Sequence, residues 1–73
     1  MSEFNPATPS WALTREEFQV LRLLARGEPT KRIAVLLGCS PTRVQDLIRI
    51  ILFELDAHNR THAVALATRA GLN

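Results

Sequence analysis

The chain has 73 residues, 47% of them apolar, with nine Lys/Arg against seven Asp/Glu for a net charge of +2. That is one domain near the lower size limit for folding without disulfides or metal, and its single cysteine excludes an internal disulfide. No apolar run reaches the ~20 residues of a membrane span and the first ten residues lack the basic start and apolar core of a signal peptide, so the sequence points to the cytoplasm.

The opening MSEFNPATPS holds two of the four prolines and reads as a flexible lead-in over 1–10, with a domain over 11–73. Thr14-Arg15-Glu16-Glu17 is a Thr-x-x-Glu capping box, so a first helix begins after Thr14. Val20, Leu21 and Leu24 share one face of it with Leu23 at the border, and Gly27 ends it. Phe18 points away from this stripe, either covered by the lead-in around Phe4 or Trp11 or exposed on a contact surface.

Glu28-Pro29-Thr30 makes a corner in which Thr30 is expected to cap a second helix. Ile33, Ala34 and Leu37 face inward there. Lys31 and Arg32 lie in its first turn, where a cation is slightly unfavourable against the helix dipole and a docked phosphate reverses that sign. Gly38 stops this helix, Cys39 reads as a small core residue, and Ser40-Pro41 restarts the chain as a cap followed by a first-turn proline.

A third helix follows over 41–55. Val44, Ile48, Ile51 and Leu55 form its core face at spacings of 4, 3 and 4, flanked by Leu47 and Leu52. Its opposite side carries Thr42, Asp46, Arg49 and Phe53, with Gln45 at the margin. Two helices joined by so short a turn are a helix-turn-helix, which presents its second helix to DNA.

Asp56 to Asn59 is a turn, with Asn59 capping a fourth helix from Arg60 to Ala70 that Gly71 stops. Ala63, Leu66, Ala67 and Ala70 share one face of it, with Val64 beside them. Small side chains let another helix approach closely, so this face either packs on the first and third helices or makes a symmetric dimer contact. The architecture is therefore all-α, with four helices.

These features together resemble the LuxR-type helix-turn-helix, the output domain also found in NarL- and FixJ-like response regulators. The likeness runs from Leu13 to Leu72. Its carriers are Leu13-Thr14 with Glu17, Val20-Leu21, Leu23-Leu24-Ala25, Gly27, Lys31, Ile33-Ala34, Leu37, Ser40, Val44, Ile51 and Leu55. The closing Asn59-Arg60-Thr61, Ala63-Val64, Ala67 and Gly71-Leu72 series separates it from other helix-turn-helix families.

The resemblance implies four helices, the third in the DNA major groove and the fourth mediating dimerisation, with Ala63, Val64, Leu66, Ala67 and Ala70 as the dimer face. It implies a bacterial transcription regulator. Departures cluster where DNA would lie: Arg43 stands where the family has Thr, Gln45 where it has Lys or Arg, Leu47 for His, Ile50 for a polar residue, Glu54 for Lys, and Glu16 for Arg. The third helix holds two Arg and two acids and is net neutral.

Two readings of function follow. In the first, Thr30, Lys31, Arg32 and Arg43 hold phosphates of double-stranded DNA, while Thr42, Gln45, Asp46 and Arg49 read bases, in a homodimer. In the second, Leu47, Ile50 and Phe53 form an apolar patch on a former DNA surface, and the domain binds RNA polymerase, another regulator or itself. An enzyme is not expected and is a distant third reading, since the sequence shows no Gly-rich phosphate loop and no serine or cysteine with a plausible base beside it. His58 and His62 have no third ligand nearby, so neither metal nor cofactor is expected. Whether the chain is a complete small regulator or the output domain of a longer one stays open.

Overall fold

Four backbone punctuation marks set the architecture, each a helix end that turns through the left-handed region. In the computed structural model, which describes residues 11–72, the helices are α1 (Arg15–Ala25), α2 (Thr30–Leu37), α3 (Pro41–Leu55) and α4 (Arg60–Arg69). Gly27, Gly38, Asp56 and Gly71 follow them at φ 85°, 69°, 55° and 79°. Each end closes with a pair of backbone bonds, such as Gly27 N–H to Leu24 O at 2.9 Å with Glu28 N–H to Leu23 O at 3.0 Å. That pairing satisfies carbonyls a helix end otherwise leaves orphaned.

Three starts follow the expected caps. The Thr14 N–H donates to Glu17 Oε1 at 2.9 Å and the Glu17 N–H returns to Thr14 Oγ1 at 3.1 Å. This reciprocal box explains how Glu17 is tolerated buried. Ser40 Oγ accepts from the Arg43 N–H and Asn59 Oδ1 from the His62 N–H. The His58 N–H in turn donates to His62 Nδ1 at 3.0 Å with the two rings stacked, so both histidines serve the α3–α4 turn.

The start of α2 differs from expectation. Thr30 is the first helical residue and Pro29 is the cap, with no side-chain hydrogen bond. Pro29 already has the extended backbone a cap needs, and the Thr30 hydroxyl is turned to Arg60 Nη1 at 2.8 Å. Arg60 also donates to the Glu28 carbonyl at 3.0 Å, tying the start of α4 to the corner before α2.

The core is Val20, Leu21 and Leu24 of α1, Ile33 and Ala34 of α2, Val44, Leu47, Ile48, Ile51 and Leu55 of α3, and Ala63 and Ala67 of α4. Helix α1 packs against α3 and α4, and α2 against α3. The alanine methyls of α4 allow this close approach, and burial of such surface at roughly 25 cal/mol per Å² is the main favourable term for so small a domain. Phe18 is half-buried. The expected lead-in over 1–10, with Phe4, lies outside the described residues.

Two expectations change with this packing. Ala63 and Ala67 are fully buried and Ala70 is 8% exposed within the single chain, so three of the five expected dimer residues are covered by the chain's own helices. Only Val64 and Leu66 of that set remain half-buried. Leu47 is 3% exposed and so adds nothing to an apolar surface patch.

Candidate nucleic-acid interface

The reach of α3 into solvent follows from its two ends. Ser40 and Pro41 start it immediately after the Gly38 turn, and its Val44-Ile48-Ile51-Leu55 stripe presses it onto α1, α2 and α4. The side left over is polar at its N-terminal half. Thr42, Gln45, Asp46 and Arg49 are all exposed, and among the described residues nothing covers them.

The residues expected to contact phosphate lie at the start of α2 and in the first turn of α3. Lys31 and Arg32 are exposed in the first turn of α2, whose backbone N–H groups have no side-chain cap. An uncapped N-terminus carrying cations is suited to a phosphate. Thr30 is half-buried, and its oxygen accepts from Arg60, which leaves its O–H free to donate. Arg43 is exposed in the first turn of α3.

Electrostatically the surface is restrained. The Arg43 guanidinium meets Glu16 of α1 at 2.8 Å, and Arg49 meets Asp46 at 3.2 Å on the same face of α3. Both pairs are well exposed. Exposed pairs are worth ~0–1 kcal/mol, less than the ~1.5–3 kcal/mol of a charge-assisted hydrogen bond to a phosphate or base. Either arginine can therefore leave its carboxylate for DNA, but the carboxylates stay behind and weaken the field. Chemically, an Arg side chain can match the O6/N7 edge of guanine and an Asp carboxylate can accept from a cytosine amino group.

Two contributors were not assigned a role from sequence. Glu16 was visible only as a departure from the family's Arg, because its partner lies 27 residues away. Arg60 was visible only as part of the Asn-Arg-Thr series, and its grip on Thr30 and Glu28 spans 30 and 32 residues. Farther along α3, Phe53 is 82% exposed and Ile50 43%.

A four-helix domain whose turn-linked second and third helices present an exposed, polar third helix is a helix-turn-helix of the DNA-binding kind. Comparison with known proteins refines that class. The family described as bacterial regulatory proteins, luxR family, matches residues 11–67, and the chain belongs to it. It is 38% identical over 68 residues to the uncharacterized transcriptional regulatory protein YvfU of Bacillus subtilis (strain 168), covering 93% of this chain and 34% of that protein. It is 39% identical over 56 residues to the glycerol metabolism activator of Pseudomonas putida, covering 77% of this chain and 25% of that one. A further relative, the transcriptional regulatory protein YdfI of the same Bacillus strain, is 38% identical over 60 residues, covering 82% of this chain and 28% of its own length. The chain thus spans about a quarter to a third of the length of these curated relatives. Among the described residues no helix is long and apolar enough to cross a membrane.

Proposed function

We propose that this LuxR-type domain regulates transcription in the cytoplasm by laying α3 in the major groove of double-stranded DNA, two copies occupying adjacent half-sites. Lys31, Arg32, Arg43 and the Thr30 hydroxyl hold phosphates, and Thr42, Gln45, Asp46 and Arg49 read base edges. The observation that carries this is the exposure of Gln45, Asp46 and Arg49 together on one side of α3. With Ala63, Ala67 and Ala70 used internally, a dimer contact through α4 falls to Val64 and Leu66 and their exposed neighbours Thr61, Ala65 and Thr68.

The test is binding to a random duplex as salt is varied between about 50 and 200 mM. Three cations on phosphates give a slope of log K against log salt of roughly −3 for one copy and about −5 for two, at about −0.9 per contact. A flat salt response, or an unchanged affinity in both Lys31→Ala and Arg49→Ala, refutes this function.

A second reading is favoured by Phe53 and Ile50, whose exposure on α3 leaves apolar area in water. In it the domain docks through the C-terminal half of α3 onto RNA polymerase or another regulator. Such an interface is nearly indifferent to salt, so the same titration separates the two.

A further inference from the structure

A second surface lies on α1 and α2, and no residue of α3 lines it. Gln19, Arg22 and Leu23 of α1 and Arg26 just past its end, with Leu36 and Leu37 of α2, line an open groove of about 410 Å³. Its floor is leucine: Leu23 and Leu37 are half-buried and Leu36 is 47% exposed. Its rim is cationic. Arg15, Gln19, Arg22 and Arg26 follow one another at i, i+4, i+7 and i+11, a stripe along the side of α1 away from Val20, Leu21 and Leu24. All four are exposed, and the ion pairs among the described residues occupy Arg43 and Arg49 rather than these arginines.

Shape and charge narrow the occupant. A small ligand needs about 70–90% of its surface enclosed, which an open groove does not provide, whereas an amphipathic helix lies along such a groove with one face covered. A DNA backbone would answer the arginines but bring nothing apolar to three leucines. We propose that the α1–α2 groove docks an acidic amphipathic helix of a partner protein, its leucine-like side seated on Leu23, Leu36 and Leu37 and its carboxylates facing Arg22 and Arg26. Arg15 to Arg26 spans roughly 16 Å at 1.5 Å per residue, so three turns of such a helix, with acids at i, i+7 and i+11, match the arginines of the stripe. Since none of the lining residues belongs to α3, the groove is open to its partner whether or not α3 is engaged.

The probe is a labelled peptide of roughly four turns with Glu at those spacings and Leu on the adjoining face, compared with a scrambled peptide of identical composition. Binding is followed by fluorescence anisotropy and its place by methyl NMR, with a random duplex titrated in parallel. The expected result is that the amphipathic peptide binds more than about tenfold tighter than the scramble, a difference of about 1.4 kcal/mol, and shifts the methyls of Leu23, Leu36 and Leu37. Arg22→Glu with Arg26→Glu, and separately Leu36→Lys, abolish that preference while melting temperature and duplex affinity hold. Equal binding of the two peptides, or shifts confined to α3, overturns the proposal. Loss of duplex affinity in the double charge reversal also overturns it and gives the stripe to DNA phosphates. The duplex titration on the unaltered protein reports separately on DNA binding, so failure of either idea is recognisable by itself.

Discussion

The Glu16 carboxylate of α1 accepts a 2.8 Å hydrogen bond from the Arg43 guanidinium of α3, joining the first helix to the first turn of the third. Both side chains are about half exposed. The contact therefore adds little stability, while it places a negative charge beside a cation proposed to meet phosphate.

Glu16→Ala should accordingly tighten binding to a random duplex several-fold and steepen its salt dependence. Unfolding free energy should change by less than about 1 kcal/mol, the worth of an exposed pair. Duplex titration and urea denaturation of the same preparation check both halves. Unaltered duplex affinity would mean that Arg43 does not meet phosphate.

The exposed Arg49–Asp46 pair predicts a different pattern, because both partners are proposed to face the bases. Asp46→Ala removes a repulsive carboxylate and should strengthen random-duplex binding, yet it should also relax discrimination at one base pair, where each mismatch otherwise costs about 1–3 kcal/mol. Arg49→Lys keeps the charge but loses the planar fork, so it should retain non-specific affinity and lose preference at guanine. Selection from a randomised duplex pool reads both effects. Identical base preferences in all three proteins would remove these residues from base reading.

Local chemistry was legible in the sequence to the extent that its partners lie close along the chain. Thr14 with Glu17, Ser40 with Arg43 and Asn59 with His62 all sit three residues apart, so a cap and its recipient are read in one glance. Periodicity likewise marked the faces of α1 and α3 that are buried. Thr30 broke the rule because Pro29 supplies the cap backbone and a guanidinium from α4 takes the hydroxyl, neither of which a linear pattern contains. The α4 alanines mark a limit of the same method. Spacing identifies which side of a helix is buried, but only the packing reveals that the covering surface is the chain itself rather than a second copy.

Arg60 joins two helix starts by two bonds at 2.8 and 3.0 Å from a partly buried position. Its removal leaves the Glu28 carbonyl and Thr30 hydroxyl without that donor, so Arg60→Ala should cost about 1–3 kcal/mol. Arg60→Lys should recover little of this, since one ammonium does not reproduce the fork that spans both acceptors. Thermal unfolding measures the loss. Because the anchored corner leads directly into Lys31 and Arg32, duplex affinity should fall as well, even at temperatures where the variant is fully folded. A variant with unchanged melting and unchanged affinity would mean the two bonds contribute nothing in solution.

Asp56 ends α3 at φ 55°, the only non-glycine residue with positive φ among those described. Two terms oppose it. A residue with a Cβ pays roughly 1–2 kcal/mol in the left-handed region, somewhat less for Asp, and its carboxylate lies against the negative end of the α3 dipole, worth about 0.3–1 kcal/mol. Asp56→Gly removes both while adding some chain entropy to the unfolded state, and Asp56→Asn removes chiefly the charge. The expectation is a gain of about 1 kcal/mol for glycine and roughly half that for asparagine, read as a rise in the urea midpoint at constant m. The asparagine gain should shrink in high salt as the dipole term is screened, whereas the conformational part of the glycine gain should persist. Loss of stability in both variants would show that the Asp56 side chain is itself holding the α3–α4 turn.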